Sequence, residues 1–242
     1  MRGVLLALAL AACNPDPGYP DQQVTYRAPT DASEADSGER GNVAITEILW
    51  SGSVTNDGVW DPTDVFLELR NTGSRPLNLS GWSLEMEGAR AITWKIPDGD
   101  VILNVGQHRY IAAKTTGCFP EPDWVIPTLN FAYGDPIYVR LVDADEHLME
   151  AAGNRSVEPF AGGYDLKRSR SMERVELMFG GRGTEPHQWH YYTPLTQQQL
   201  DEGDYLPNNL GVAENCRDAT LASPGEANSV DYSGAYASGS LE

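Results

Sequence analysis

Basic residues and cysteines are scarce in this sequence. It has 17 lysines and arginines against 35 aspartates and glutamates, a formal charge of −18 at pH 7, and only three cysteines. A surface this acidic repels phosphate backbones, so the composition argues against sequence-independent binding of nucleic acid.

The motifs of common catalytic sites are also absent. The sequence has no glycine-rich phosphate-binding loop, no nucleophile elbow and no metalloprotease helix. We therefore expect a protein that is not an enzyme and that needs no cofactor.

The amino terminus contains an apolar run that follows Arg2 and ends at Leu10-Ala-Ala-Cys13. This run is too short for a membrane-spanning helix, which needs about 20 residues, and is typical of an export signal. Its end resembles the lipobox of bacterial lipoproteins. The resemblance implies cleavage of residues 1–12 and attachment of a diacylglycerol to the thiol of Cys13. The alternative is an ordinary secretory signal with a cysteine nearby by chance.

Residues 13–41 begin with that cysteine and continue with a stretch rich in Pro, Asp, Ser and Glu, which has too few apolar side chains to pack. They predict a disordered, extended tether that holds a domain away from the membrane. Asn14 follows the cysteine. An aspartate at that position favours the inner membrane in enteric-type bacteria, so we expect the outer membrane.

The two remaining cysteines are Cys118 and Cys216. In an exported protein, two such cysteines most simply form a disulfide. The alternative is a pair of free, buried thiols.

Short apolar segments separated by Gly, Pro, Asn and Asp follow one another from residue 43, beginning with 43–50, 64–71 and 77–85. Their period-two alternation predicts β-strands of a sheet with one buried face. About nine such strands predict an all-β, immunoglobulin-like β-sandwich. In the first strand, the alternation places two sets of side chains on opposite faces: Ala44, Thr46 and Ile48, and Ile45, Glu47 and Leu49.

Several of these segments carry specific motifs. They are Ile45-Thr-Glu-Ile48, Phe66-Leu-Glu-Leu69 with Asn71, Leu79-Ser-Gly-Trp82, Ile96-Pro-Asp-Gly99, Ser171-Met-Glu-Arg174 and Ser223-Pro-Gly-Glu-Ala-Asn228. In this order they resemble the lamin-tail domain, an immunoglobulin-like β-sandwich known from nuclear lamins and common in secreted bacterial proteins. The resemblance covers about residues 42–228, with an insertion at about 193–221 and a flexible tail at 229–242. In the insertion, Thr193 is predicted to cap a short helix that begins at Pro194.

The resemblance implies structural roles for Glu47, Glu68, Asn71, Gly81 and Trp82. The two glutamates lie in the middle of strands, beside apolar neighbours. Paired carboxylates can also act as general acid and base, which is the alternative for this pair.

Two groups of acidic residues are candidates for ligand binding. Asp57, Asp61 and Asp64 lie in one loop, and an oxygen-rich loop of this kind can hold calcium. The loop lacks the ligand order of an EF-hand, which favours solvated turn residues. Asp143, Asp145 and Glu146 form the second group and are typical of a hairpin turn.

Four aromatic residues lie partly in predicted loops: Trp50, Trp60, Tyr133 and Tyr164. Exposed aromatic rings can stack on sugars or proteins. The alternative is that they anchor the core and its loops.

We therefore expect a bacterial lipoprotein that serves as a non-catalytic binding or scaffolding module in the cell envelope. Its partners would be the membrane, through the lipid anchor, and an envelope protein or glycan, with no nucleic acid. The alternatives are a calcium-stabilised adhesin module and an accessory to, or divergent member of, a secreted nuclease or phosphatase system.

Overall fold

The computed structural model of the chain describes residues 40–87, 91–175, 182–195 and 209–230. These residues form seventeen strands and one short 3-10 helix, Pro186–Gln188, and they contain no α-helix. Accordingly, none of the described segments is a helix long and apolar enough to cross a membrane.

Some predictions concern residues outside the described ranges. The signal peptide at 1–12, nearly all of the tether at 13–41, all but the first two residues of the helix predicted to begin at Pro194, and most of the tail at 229–242 lie there. They remain predictions.

Six strands form the larger sheet, in the spatial order β10-β9-β4-β1-β15-β16. All neighbouring pairs are antiparallel except β9 and β10, which are parallel. The strands are β1 (Val43–Leu49), β4 (Phe66–Asn71), β9 (His108–Ala112), β10 (Trp124–Val125), β15 (Met172–Arg174) and β16 (Trp189–Tyr191).

Four strands form the second sheet, in the order β12-β11-β6-β7. They are β6 (Ser83–Glu87), β7 (Ile92–Lys95), β11 (Tyr138–Val142) and β12 (Leu148–Gly153). The other strands have two residues each and form smaller sheets: β2 (Ser53–Val54) with β3 (Trp60–Asp61), β5 (Leu77–Asn78) with β8 (Ile102–Leu103), and β13 (Gly163–Tyr164) with β14 (Ser169–Arg170) and β17 (Thr220–Leu221). Nine strands have three residues or more, which agrees with the predicted number of main strands.

The main core lies between the two large sheets. Leu67 and Ile111 contribute to it from the larger sheet, and Leu84 and Val139 from the smaller one. Trp82 belongs to the same cluster and is only 2% exposed. Burial of these apolar side chains is the main force that holds the two layers together, and the all-β sandwich prediction is confirmed.

The larger sheet is buried on both faces, whereas the sequence predicts one buried face. A second cluster covers its outer face, where Leu49, Phe66 and Tyr110 pack against Phe119 and Val212. The covering residues come from the loop after β9 and from the predicted insertion. A strand covered on both sides needs apolar residues at successive positions, which explains why Phe66 and Leu67 are both fully buried.

The predicted alternation in β1 is wrong beyond Ile45, because the strand contains a β-bulge. Ile45 pairs with Leu69, but Glu47 pairs with Glu68, so Thr46 is an extra residue without a partner of its own. A bulge shifts the side-chain alternation by one position. Ile45 and Ile48 therefore both join the main core, although simple alternation places them on opposite faces.

Candidate functional site

Three glutamates form a row on the outer face of the larger sheet. Glu47 of β1 pairs with Glu68 of β4 on one side and with Glu173 of β15 on the other. All three residues are completely buried. Sequence reasoning singled out Glu47 and Glu68 but missed Glu173, although it lies in the quoted closing motif.

Residues 223–229 supply hydrogen bonds to this row of carboxylates. The backbone N–H of Ser223 donates to Oε1 of Glu47 over 2.9 Å, and that of Gly225 donates to Oε2 of Glu68 over 2.7 Å. Ser229 donates to Glu173 through both its backbone N–H and its hydroxyl. The row therefore fastens a distant segment of the chain to the sheet.

Burial raises the pKa of Glu47 well above its usual value, and the negative charges of Glu173 and Glu68 raise it further. Burial also raises the pKa of Glu173 to about 7, although hydrogen bonds from Ser223 and Ser229 act in the opposite direction. Removing a carboxylate from water disfavours its charged form, so both side chains hold a proton more tightly than a solvated glutamate does.

Asn71 and Gly81, which belong to the same motifs, stabilise the turns in which they lie. The side-chain amide of Asn71 donates to the carbonyls of Arg75 and Leu103, while its oxygen accepts from the N–H of Gly73. Asn71 thus closes the turn after β4. Gly81 has φ +74°, a conformation that favours glycine, directly before the buried Trp82.

Asp57, Asp61 and Asp64 lie in one region but each has a different partner. Asp64 is fully buried and accepts hydrogen bonds from Ser53 Oγ and from the N–H of Cys118. Partial burial raises the pKa of Asp61, but hydrogen bonds from Lys114 and Thr63 outweigh it, so that this pKa lies below its usual value.

The third member of this loop group, Asp57, is exposed and accepts from the hydroxyl of Thr55. In the described part of the chain, three His, Cys, Asp or Glu side chains place their ligand atoms within 4.8 Å of one another only at Asp143, Asp145 and His147. There, Asp143 Oδ1 accepts from the backbone N–H groups of Asp145 and His147, as in an ordinary hairpin turn.

Cys118 and Cys216 form a disulfide with an S–S distance of 2.08 Å, as the sequence predicts. Both residues belong to the cluster on the outer face of the larger sheet. The bond therefore connects the predicted insertion to the loop after β9 and holds both segments against the sheet.

Four aromatic rings meet beyond the end of β1. Tyr164 of β13 stacks on Trp60 of β3, with ring centroids 4.7 Å apart and planes 7° apart. Tyr133 meets the edge of Trp60 at 6.0 Å and lies 5.5 Å from the ring of Trp50. We call the partly exposed rings of Trp60, Tyr133 and Tyr164 the aromatic face, and Tyr133 connects it to the buried Trp50.

A glycine allows Trp60 to reach this position. Gly52 precedes β2 and has φ +82°, and a Cβ atom there would lie 2.3 Å from the carbonyl oxygen of Asp61. Only glycine permits such a close approach, which lets β2 and β3 fold back as a hairpin.

Hydrogen bonds hold the rings of the aromatic face in place. Trp60 Nε1 donates to the backbone carbonyl of Ser51 over 2.9 Å, and the hydroxyl of Tyr133 donates to the backbone carbonyl of Tyr164 over 3.2 Å. Trp60 is nonetheless 36% exposed and Tyr133 is 54% exposed. The polar atoms of these side chains thus face the protein, and ring surface is left facing solvent.

The aromatic face has apolar neighbours in the sequence that are even more exposed. Val59 precedes Trp60, and Leu166, two residues after Tyr164, is 82% exposed with φ +74°. Rigid rings with exposed apolar surface suit a ligand that stacks on them, such as a sugar ring. The sequence identified all four rings, but their convergence from separate segments is visible only in the structure.

Residues 37–154 match a family model described as Lamin Tail Domain. The matched span extends through β12 and includes Glu47, Glu68, Asn71, Gly81 and Trp82, whereas Glu173 and Ser223 lie beyond it. No curated protein matches the chain.

Proposed function

Since the chain carries a lamin tail domain, we propose that it is a non-catalytic binding module that a lipid anchor holds at the bacterial cell envelope. The single observation that carries the binding role is the aromatic face. Its ligand would be an envelope glycan or protein that stacks against Trp60 and Tyr133.

The geometry of the aromatic face supports binding because its rings need little ordering when a ligand arrives. The indole N–H of Trp60 is held by a hydrogen bond to Ser51, and its ring is held by stacking on Tyr164. A preorganised side chain loses little conformational entropy on binding, and aromatic side chains are common at the centres of binding surfaces.

The surroundings of the carboxylates support a non-catalytic role. Glu47, Glu68 and Glu173 are fully buried and accept hydrogen bonds from residues 223–229. A general acid or base must come within about 3 Å of a substrate, directly or through one water. A substrate would have to displace residues 223–229 before it could reach this row.

The lipobox at Cys13 supports the anchor. The described domain begins at Arg40, so the intervening segment spans at most about 90 Å when fully extended. A tether of that length would let the aromatic face extend beyond the lipid headgroups to an envelope ligand.

The proposal is tested with the full-length chain on an array of bacterial envelope oligosaccharides and peptides. We expect at least one ligand to bind the wild-type chain and to be lost in the Trp60→Ala/Tyr133→Ala variant. Tyr191→Ala is the matched control, because Tyr191 is 53% exposed but lies on β16, outside the aromatic face.

Equal binding by the wild type and the double variant would contradict the assignment of the aromatic face. A hydrolase activity that a single polar substitution abolishes would contradict the non-catalytic role.

A further inference from the structure

A cleft of about 880 Å³ lies beside the first residues of β1 and the last residues of β4. Val43, at the start of β1, lines the cleft. Trp50, which packs against Tyr133 of the aromatic face, follows the end of the same strand. A strand of this length spans about 20 Å. The cleft is therefore separate from the aromatic face and lies toward the other end of the sandwich.

The described residues that line the cleft include more basic than acidic side chains, unlike the chain as a whole. Among the residues that the structure describes, the ionisable ones lining it are four arginines, Arg40, Arg70, Arg174 and Arg182, and one glutamate, Glu150. The full sequence has about twice as many acidic as basic residues, 35 against 17. A concentration of arginine in one concave place on such a protein produces a local positive potential, since low-dielectric walls focus the field.

Arg174 and Glu150 form the fixed part of the cleft wall. Their side chains are almost fully buried and lie 3.1 Å apart, and the guanidinium of Arg174 also lies over the ring of Trp189. Gly183 leaves room for this arrangement, because a Cβ atom there would lie 2.2 Å from Nη1 of Arg174. The negative charge of Glu150 thus lies directly against the positive charge of Arg174.

The exposed positive charge of the cleft comes from Arg40 and Arg182. Arg40 and Arg182 are exposed, and Arg70 is half-buried. Burial raises the pKa of Glu150, while the charges of Arg174 and Arg40 lower it. Arg40 is therefore close enough to act electrostatically on the interior of the cleft.

We propose that this cleft binds a small anionic ligand that presents phosphate or carboxylate groups. The planar guanidinium of arginine donates two parallel hydrogen bonds to either group and stays charged at all relevant pH values. The volume suits a small molecule. An extended polyanion is disfavoured, because beyond the cleft it would meet the acidic remainder of the surface.

Isothermal titration calorimetry on the full-length chain tests this proposal, with pyrophosphate and citrate as the two anionic probes and glucose as the neutral one. We expect at least one anion to bind and glucose not to bind. Comparison of the two anions distinguishes a phosphate site from a carboxylate site.

The Arg40→Ala/Arg182→Ala variant is expected to weaken anion binding at least tenfold. Both side chains are exposed, so the thermal midpoint of the free protein should stay unchanged. Arg168→Ala is the matched control, since Arg168 is also exposed but lies in the turn between β13 and β14, outside the cleft. The proposal is overturned if neither anion binds, if glucose binds as well as the anions, or if Arg168→Ala weakens binding as much as the double variant.

Discussion

Glu47 and Glu173 are direct partners across β1 and β15, and both side chains are fully buried. The Oγ atom of Ser223 lies 3.0 Å from Oε2 of Glu47 and 2.6 Å from Oε1 of Glu173. A hydroxyl has one hydrogen to donate. It can satisfy both contacts only if one of the two carboxyl groups is protonated and donates to Oγ, which agrees with the raised pKa of each.

The free energy of unfolding is expected to fall as the pH rises from about 5 to about 8. The pKa of Glu173 is raised to about 7 in the folded protein, so the folded chain binds this proton more tightly than the unfolded chain. The resulting stabilisation is fully present below the usual glutamate pKa and is lost as the pH rises through about 7. Glu47 contributes to the same trend, because burial and the negative charges of its neighbours raise its pKa as well. Urea denaturation at a series of pH values measures the change.

The Glu173→Gln variant tests whether Glu173 causes this pH dependence, because glutamine has no ionisable group at that position. Its stability should depend on pH less than that of the wild type between about pH 5 and about pH 8, and the part that remains should come from Glu47, whose pKa is also raised by burial. Glu158 is exposed, so Glu158→Gln should keep the wild-type dependence. If the free energy of unfolding changes equally with pH in Glu173→Gln and in the wild type, a group other than Glu173 causes the pH dependence.

Loss of the disulfide is expected to destabilise the protein by about 4–5 kcal/mol in the chain-entropy model, because the bond closes a long loop. Cys118 and Cys216 are 98 positions apart in the sequence. The Cys118→Ala/Cys216→Ala variant should therefore unfold at a lower urea concentration than the oxidised wild type.

A reducing agent should lower the midpoint of the wild type and leave that of the double alanine variant unchanged. Equal midpoints for the oxidised wild type and the variant would show that the bond contributes nothing to stability.

The two tryptophans Trp82 and Trp60 should respond differently to truncation. Trp82 is 2% exposed in the main core, so Trp82→Ala leaves a large cavity and should cost about 3–5 kcal/mol. Trp60 is 36% exposed, so Trp60→Ala should cost less than about 2 kcal/mol. The urea concentrations at which the two variants are half unfolded measure this difference. A loss at Trp60 as large as that at Trp82 would mean that the aromatic face is chiefly a stabilising cluster.

The fold was predictable from the sequence to the extent that it depends on local patterns. Apolar runs between turn residues locate the main strands, since a half-buried strand requires alternation. The bulge at Thr46 was not predictable in this way, because it depends on how β1 pairs with β4. The outer-face cluster was missed for a similar reason, as it is formed by residues such as Val212 that follow the sheet strands in the sequence.

The candidate sites depend even more on long-range contacts. Trp60 and Tyr164 lie far apart in the sequence yet stack directly, and Arg40 and Arg182 line one cleft. Their residue types were visible from the start. Their proximity follows only from the pairing of the strands that carry them, which no local pattern encodes.

Replacement of Cys13 is expected to release the protein from the membrane. The lipobox implies that this thiol carries a diacylglycerol, and each buried methylene contributes about 0.8 kcal/mol to membrane binding. In cells grown with labelled palmitate, the wild type should carry label and sediment with membranes, whereas Cys13→Ser should carry none and stay in the supernatant. Asn14→Gln is the matched control, because it alters the neighbouring residue but keeps the thiol, and it should behave as the wild type.

Equal labelling of Cys13→Ser and the wild type would show that Cys13 is not the site of lipidation. The amino terminus would then act as an ordinary secretory signal, and the binding role of the aromatic face would have to be exercised by a secreted protein.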